Sequence, residues 1–174
     1  MTVSPFSEDQ IKILRARWNR DAIIKIVIAL NEGDPVKPLL AEIPKSPEMP
    51  PTECDLDLRG IDLSFQNLRG PWIQDGNERH RRGITLASAD LTAANFYWAI
   101  LPKADLRDAI LIDVDLDYAE LIYADFSGAD LAGAKLDSAW MLDTKFQNAK
   151  ITEEQLRARR NLGQLDFDYH AFEI

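Results

Sequence analysis

Two histidines, one cysteine and a recurring set of aspartates are the side chains here that could do acid–base or nucleophilic chemistry. His80 and His170 stand far apart in sequence, and His80, beside Arg79, Arg81 and Arg82, reads as a solvated loop residue. Cys54 is the only cysteine, which excludes an internal disulfide and a cysteine-based zinc site. Asp113 and Asp115 could be drawn as an acid–base couple. Carboxylates recur in this chain because a pattern recurs, however, and the pattern places them on convex outer walls, whereas catalysis needs a cleft that excludes water. No nucleophile elbow, phosphate-binding loop, dinucleotide fingerprint or metal-binding helix motif is present. The expectation is a protein that is not an enzyme and takes no cofactor or metal. Binding chemistry is what remains, and the aromatic residues carry it.

The elements that must position those residues are set by a period of five. A large apolar residue recurs without a miss from Leu86 through Leu91, Phe96, Leu101 and onward to Met141, Phe146 and Ile151. Two residues before each stands a small one, usually alanine: Ala89, Ala94, Ala99, Ala104 and so on to Ala149. Five matches neither the 3.6 of a helix nor the 2 of a strand. The chain must turn a corner every five residues and point one large and one small side chain inward each time.

Ala89-Asp90-Leu91, Ala94-Asn95-Phe96, Ala104-Asp105-Leu106, Ala124-Asp125-Phe126 and Ala129-Asp130-Leu131 carry a resemblance to the pentapeptide-repeat proteins, whose unit is A-(D/N)-L-x-x. The resemblance covers residues 54–151. It implies a mainly β fold: a right-handed quadrilateral parallel β-helix with four pentads to a coil and about 4–5 coils in all. A coil buries its apolar residues only by stacking on its neighbours, so both ends of such a shaft need covers.

The flanks supply candidates. Residues 1–33 read as an N-terminal helical cap, with Ser7 and Gln10 as a capping box, Phe6 and Ile11 as a staple, a bend or second start at Asn19–Asp21, and Gly33 as the stop. Residues 34–53 hold six of the nine prolines and read as a connector with one short turn at Leu39–Ile43. The repeat starts faintly at Leu58, Leu63 and Leu68, then breaks register, which requires a loop over 70–83 with turn chemistry at Gln74–Asn77. Residues 152–174 read as a capping helix, about Glu153–Asn161 with a second capping box at Thr152 and Gln155, followed by a tail alternating at Leu165–Tyr169.

Bulk properties narrow the partner. The 174 residues carry a formal net charge of −9, which disfavours direct nucleic-acid binding because phosphates need clustered Lys and Arg. No apolar run approaches a membrane span and the first residues lack a signal-peptide pattern, so a cytoplasmic location is expected.

With 20 residues per coil, outward residues fall into columns. Trp98, Tyr118 and Ser138 form one, and Ile100, Glu120 and Trp140 the next. Tyr97, Ile122 and Tyr123 lie beside them, with Asp115 and Asp117 supplying charge. The expectation is an aromatic and acidic edge that binds an as yet unidentified protein partner or a second copy as a homodimer, or that is covered by the N-terminal helix or the connector. The loop Arg79, His80, Arg81, Arg82 is a second candidate contact. The alternative function is an acidic DNA mimic: some proteins of the resembling family bind DNA gyrase or topoisomerase IV. Eleven carboxylates against three basic residues over 84–143 suit that reading in total charge, but their spread over all four faces does not.

Overall fold

The computed structural model describes residues 6–44, 52 and 54–157. Its centre is a β-helix. Parallel bridges join residues 20 apart, four to a coil: Thr85 to Asp105, Asp90 to Ile110, Asn95 to Asp115 and Ile100 to Glu120, continuing to Asp130 with Lys150. Successive coils are therefore spaced by the strand-to-strand distance of about 4.8 Å. The inward column from Leu86 to Met141 is buried throughout, as are the alanines beside it. Phe126 and Phe146 stack at 5.2 Å inside the shaft.

The corners explain the period. In each pentad the N–H three residues after the central apolar residue donates to that residue's carbonyl, as Ala94 does to Leu91 at 2.9 Å. The residue two beyond the central one takes a left-handed backbone: Trp98, Lys103, Asp108, Asp113, Tyr118 and Tyr123 have φ between 56° and 61°. This is the signature of a type II turn. The Asp or Asn before the central residue has its own task. Its carboxylate or amide oxygen accepts the backbone N–H two residues on, as in Asp105 with Arg107, Asn95 with Tyr97 and Asp125 with Ser127.

The sheet content differs from a mainly β reading in one respect. Each side of the coil is a single bridge, because a corner every five residues leaves no room for a continuous strand. The only continuous strands among the described residues are β1 (Trp72–Asp75) and β2 (Glu78–Arg81), an antiparallel hairpin that occupies the expected loop. Gly76 has φ +59° at the first position of its two-residue turn, where a type II′ turn needs glycine. The register is kept across this excursion. Asp57, Asp62 and Asn67 bridge to Asp90, Asn95 and Ile100, an offset of 33, thirteen more than a coil.

Two helices precede the shaft. α1 (Glu8–Ala16) starts at Ser7 in a capping box with Gln10, and α2 (Arg20–Glu32) starts at Asn19 and ends at Gly33, φ +79°. A 3-10 turn follows at Lys37–Glu42. Trp18, Ile26, Ala29, Leu30 and Val36 share one apolar cluster with Leu58, Leu63 and Leu68 of the first coil. Asn31 at the end of α2 donates to the Asn67 carbonyl at 2.8 Å and accepts the Gly70 N–H at 3.1 Å. α1 sets Leu14 against Ala93 and so close to Gly60 that a Cβ there would overlap it. This contact corrects the expectation of carboxylates on outer walls at one position: Asp90 is buried with Thr92 and Ala93. Its carboxylate accepts from Thr92 and lies 3.6 Å from Arg59 Nε.

At the other end, Thr152 and Gln155 form the reciprocal capping box of α3 (Glu153–Arg157). Gln155 Nε2 also donates to the carbonyls of Leu131 and Ala134, satisfying acceptors of the last coil. The expected continuation to Asn161 and the tail Leu165–Tyr169 lie outside the described residues.

Candidate protein-interaction surface

Aromatic rings gather on one corner of the shaft. Trp98 and Tyr118 occupy the same corner on successive coils and stack with centroids 5.2 Å apart and planes 1° from parallel. Tyr97 meets Tyr118 edge-on at 5.6 Å, and Phe65 meets Tyr97 in the same way at 5.6 Å. Four rings therefore form a continuous ladder across three coils. It stays exposed: Phe65 at 68%, Trp98 at 50% and Tyr118 at 43%.

Sequence reasoning missed Phe65. Its signal was the register itself: once the hairpin is removed from the count, Phe65 falls in the column of Trp98, and its N–H donates to the Tyr97 carbonyl at 2.9 Å. Phe65, Trp98, Tyr118 and Tyr123 all sit at the left-handed corner, with φ of 57° to 61°. For bulky residues that backbone costs about 1–2 kcal/mol each. The same corner holds glycine at Gly128 and Gly133, away from the ladder.

Trp140 at 60%, Tyr123 at 52% and Leu142 at 39% extend the exposed apolar surface on neighbouring columns, without ring contact to the ladder among the described residues. Ile100 bridges to Glu120 and Glu120 to Trp140 in one column, and Ile122 is half-buried beside it. Among the described residues, the N-terminal helices pack on the first coil and on the Gly60 and Ala93 corner.

The acidic residues of this edge are partly tied up. Asp115 accepts the Asp117 N–H at 3.1 Å and pairs with Lys135 at 3.4 Å. Asp117 accepts the Asp137 N–H at 2.7 Å. Burial pushes the Asp117 carboxyl above its ordinary range, and the Asp115 and Asp137 carboxylates push the same way, against the Asp137 N–H. Glu120 lies 3.9 Å from Arg69. Lys145 with Asp125 and Lys150 with Asp130 repeat the 20-residue pairing on other faces. Arg107 forks onto Asp105, and that hydrogen bond holds the Asp105 carboxyl below its ordinary range.

The second candidate contact folds as the hairpin. Both the Arg79 and Arg81 guanidinium groups lie over the Trp72 ring, at 4.9 and 4.5 Å. His80 is half-buried on the opposite face of the ribbon, paired across from Ile73. No cluster of three His, Cys, Asp or Glu able to hold a metal occurs among the described residues, and no helix among them is long and apolar enough to cross a membrane.

Comparison with known proteins bears on the repeat. The pentapeptide-repeat family profile matches residues 89–122 and 109–148, with eight copies. No curated protein matches the chain. Among solved structures, the chain is similar to a pentapeptide repeat protein from the Arabidopsis thaliana thylakoid lumen at 33% identity, covering 56% of this chain and 62% of that one, TM-score 0.34. It is also similar to HetL, a pentapeptide repeat protein involved in heterocyst differentiation regulation from the cyanobacterium Nostoc, at 27% identity, 53% and 48% coverage, TM-score 0.33. A third is QnrB1, a plasmid-mediated fluoroquinolone resistance protein, at 18% identity, 56% and 44% coverage, TM-score 0.38. The chain spans less than two thirds of the length of each of these three. The unbroken period of five, the corner in every pentad and the matched profile show that residues 89–148 of this chain are built of pentapeptide repeats.

Proposed function

We propose that the chain is a non-enzymatic protein-interaction module, an adaptor, inhibitor or regulator working in the cytoplasm, that binds a protein partner through the aromatic and acidic edge of its β-helix. We read the coil as right-handed and quadrilateral, with 4–5 turns, and the helices at both ends as caps that keep its apolar ends from pairing with other chains. One observation carries the reading: the ladder of exposed Phe65, Trp98 and Tyr118 joined through half-buried Tyr97, continued by Tyr123 and Trp140. Trp and Tyr anchor interfaces, and contiguous apolar surface left in water marks a contact. Asp115, Asp117 and Glu120 rim the ladder and would set partner choice more than affinity.

The test is Trp98→Ser, Tyr118→Ser and Trp140→Ser combined. The β-helix should keep its melting temperature within a few degrees while capture of the partner from host extract, or self-association in light scattering, is lost. A triple variant that unfolds shows the strip to be internal packing and removes the reading. The DNA-mimic alternative draws on the eleven carboxylates between residues 84 and 143. Lys135, Lys145 and Lys150 each pair with one of those carboxylates, Asp115, Asp125 and Asp130, which weakens it. A gyrase supercoiling assay unaffected by excess protein would eliminate that alternative.

A further inference from the structure

The aromatic ladder is one margin of a whole side of the shaft, and we propose that this side pairs with the same side of a second copy of the chain, the two rods lying antiparallel. The inference rests on the reading of that edge as a binding surface and names its occupant. The side is built on the bridges Asn67 to Ile100, Ile100 to Glu120 and Glu120 to Trp140. Its outward positions hold Ile100, Pro102, Ile122, Trp140 and Leu142, half-buried or exposed. The corresponding positions on the side that starts at Thr85 carry Asp105, Arg107, Asp125, Ser127 and Lys145. Apolar surface is therefore gathered on one side, where contiguity marks a contact. One margin of it is the corner of Phe65, Trp98 and Tyr118. The other is the next left-handed corner, that of Lys103, Tyr123 and Asp143, with φ of 59°, 61° and 52°.

Charge on this side is sorted along the axis, which is what selects a second copy as the occupant. Arg69 stands on the first coil and Lys103 on the second, whereas Asp143 stands on the fourth. Lys103 and Asp143 are exposed, and among the described residues neither forms an ion pair. Arg69 reaches Glu120 only at 3.9 Å. A two-fold axis lying across the side between the second and third coils sets the first coil against the fourth and the second against the third. Trp98 then faces Tyr118 of the second copy, Pro102 faces Ile122, and the Lys103 ammonium faces the Tyr123 ring. Asp143 of the second copy lands beside Arg69 and one coil, about 4.8 Å, from Lys103, within a lysine's reach. Every contact occurs twice, as an isologous interface requires. A parallel pair would instead leave Lys103 and Asp143 two coils apart. A side of four coils, about 19 Å long, is short for a permanent dimer, so the pair should exchange rapidly at micromolar concentration.

Sedimentation equilibrium of the full-length chain tests this and should show monomer and dimer in exchange. Lys103→Glu and Asp143→Lys should each weaken the dimer about tenfold or more, because each sets like charges together across the axis. The melting temperature should not move, since one left-handed corner already holds Lys at one level and Asp at another. Mixing the two variants in equal amounts should restore association, because only the mixed pair matches both contacts. A parent that stays monomeric, variants that pair as tightly as the parent, or a mixture that stays weak overturns the proposal. If the parent is monomeric while Trp98→Ser/Tyr118→Ser/Trp140→Ser still abolishes partner capture, the edge remains a binding surface and only the second copy is removed as its occupant.

Discussion

Replacing Asp57 by Asn should release the N-terminal helices from the shaft while leaving the coils intact. Asp57 is the hub of a charge network. Its carboxylate takes two hydrogen bonds from Arg17, at 2.7 and 3.0 Å, and two from the Arg59 side chain, at 2.9 and 3.0 Å. Arg17 comes from the junction of α1 and α2, and its side chain is only 6% exposed; that of Arg59 is 8% exposed. Asn preserves shape and one acceptor but removes the charge. Leaving buried cations uncompensated costs about 3–5 kcal/mol, and we place this change near the lower value, about 3 kcal/mol, because Asp90 still lies 3.6 Å from Arg59. At about 1.4 kcal/mol per tenfold, opening of α2 becomes on the order of a hundredfold more frequent. Amide exchange in residues 20–32 reads this directly. The pH dependence gives a second readout. Burial raises the Asp57 carboxyl, but the Arg59 and Arg17 hydrogen bonds outweigh it and hold the group well below the carboxylate range. The unfolded chain then binds the proton more readily than the folded one. The stabilisation is complete above about pH 5 and erodes as pH falls below about 4, toward the depressed folded value. In the parent, protection of α2 should fall across that acid window, and in Asp57→Asn it should be flatter. Equal protection in both proteins at pH 7 would refute the idea that the network holds the helices.

Substitutions at two further positions probe the packing. Gly60→Ala should destabilise the chain by about 2 kcal/mol or more, since its backbone is left-handed at φ +70° and a Cβ would overlap the Leu14 backbone; urea unfolding measures the loss, and an unchanged midpoint would mean α1 does not press on that corner. Phe126→Ala removes a fully buried ring stacked on Phe146 and should cost about 3–5 kcal/mol in the same assay, whereas Phe126→Leu should recover more than half of it.

The inward lattice was legible because it is local: each pentad repeats its own corner, so Leu86 through Met141 could be assigned without knowing what lies above or below them. The capping pairs Ser7 with Gln10 and Thr152 with Gln155 were legible for the same reason, as spacings of three residues. Contacts made across the sequence were not. Nothing in the pattern around Asp90 distinguishes it from Asp105, yet one is buried because Leu14 and Arg59 arrive from elsewhere. Phe65 was hidden by the hairpin, whose thirteen residues conceal the alignment with Trp98. The hairpin lies in the stretch read as a loop, and Trp72-Ile73-Gln74 and Arg79-His80-Arg81 are too short and too polar to announce strands. Columns of Asp and Lys 20 residues apart, such as Asp115 with Lys135, could have been found by applying the coil length to basic residues as it was applied to aromatic ones.

The backbone on either side of the hairpin meets itself. A side chain on Gly70 would collide with the Gly83 carbonyl, and one on Gly83 with the carbonyl of Lys103. The two glycines let the track leave and rejoin at one point, so the winding above and below continues as though nothing intervened. Length between those points is thus decoupled from helical phase. An inserted module whose ends come together could be carried there, which makes this corner a socket where the shaft can bear a specialised head without any change to its winding.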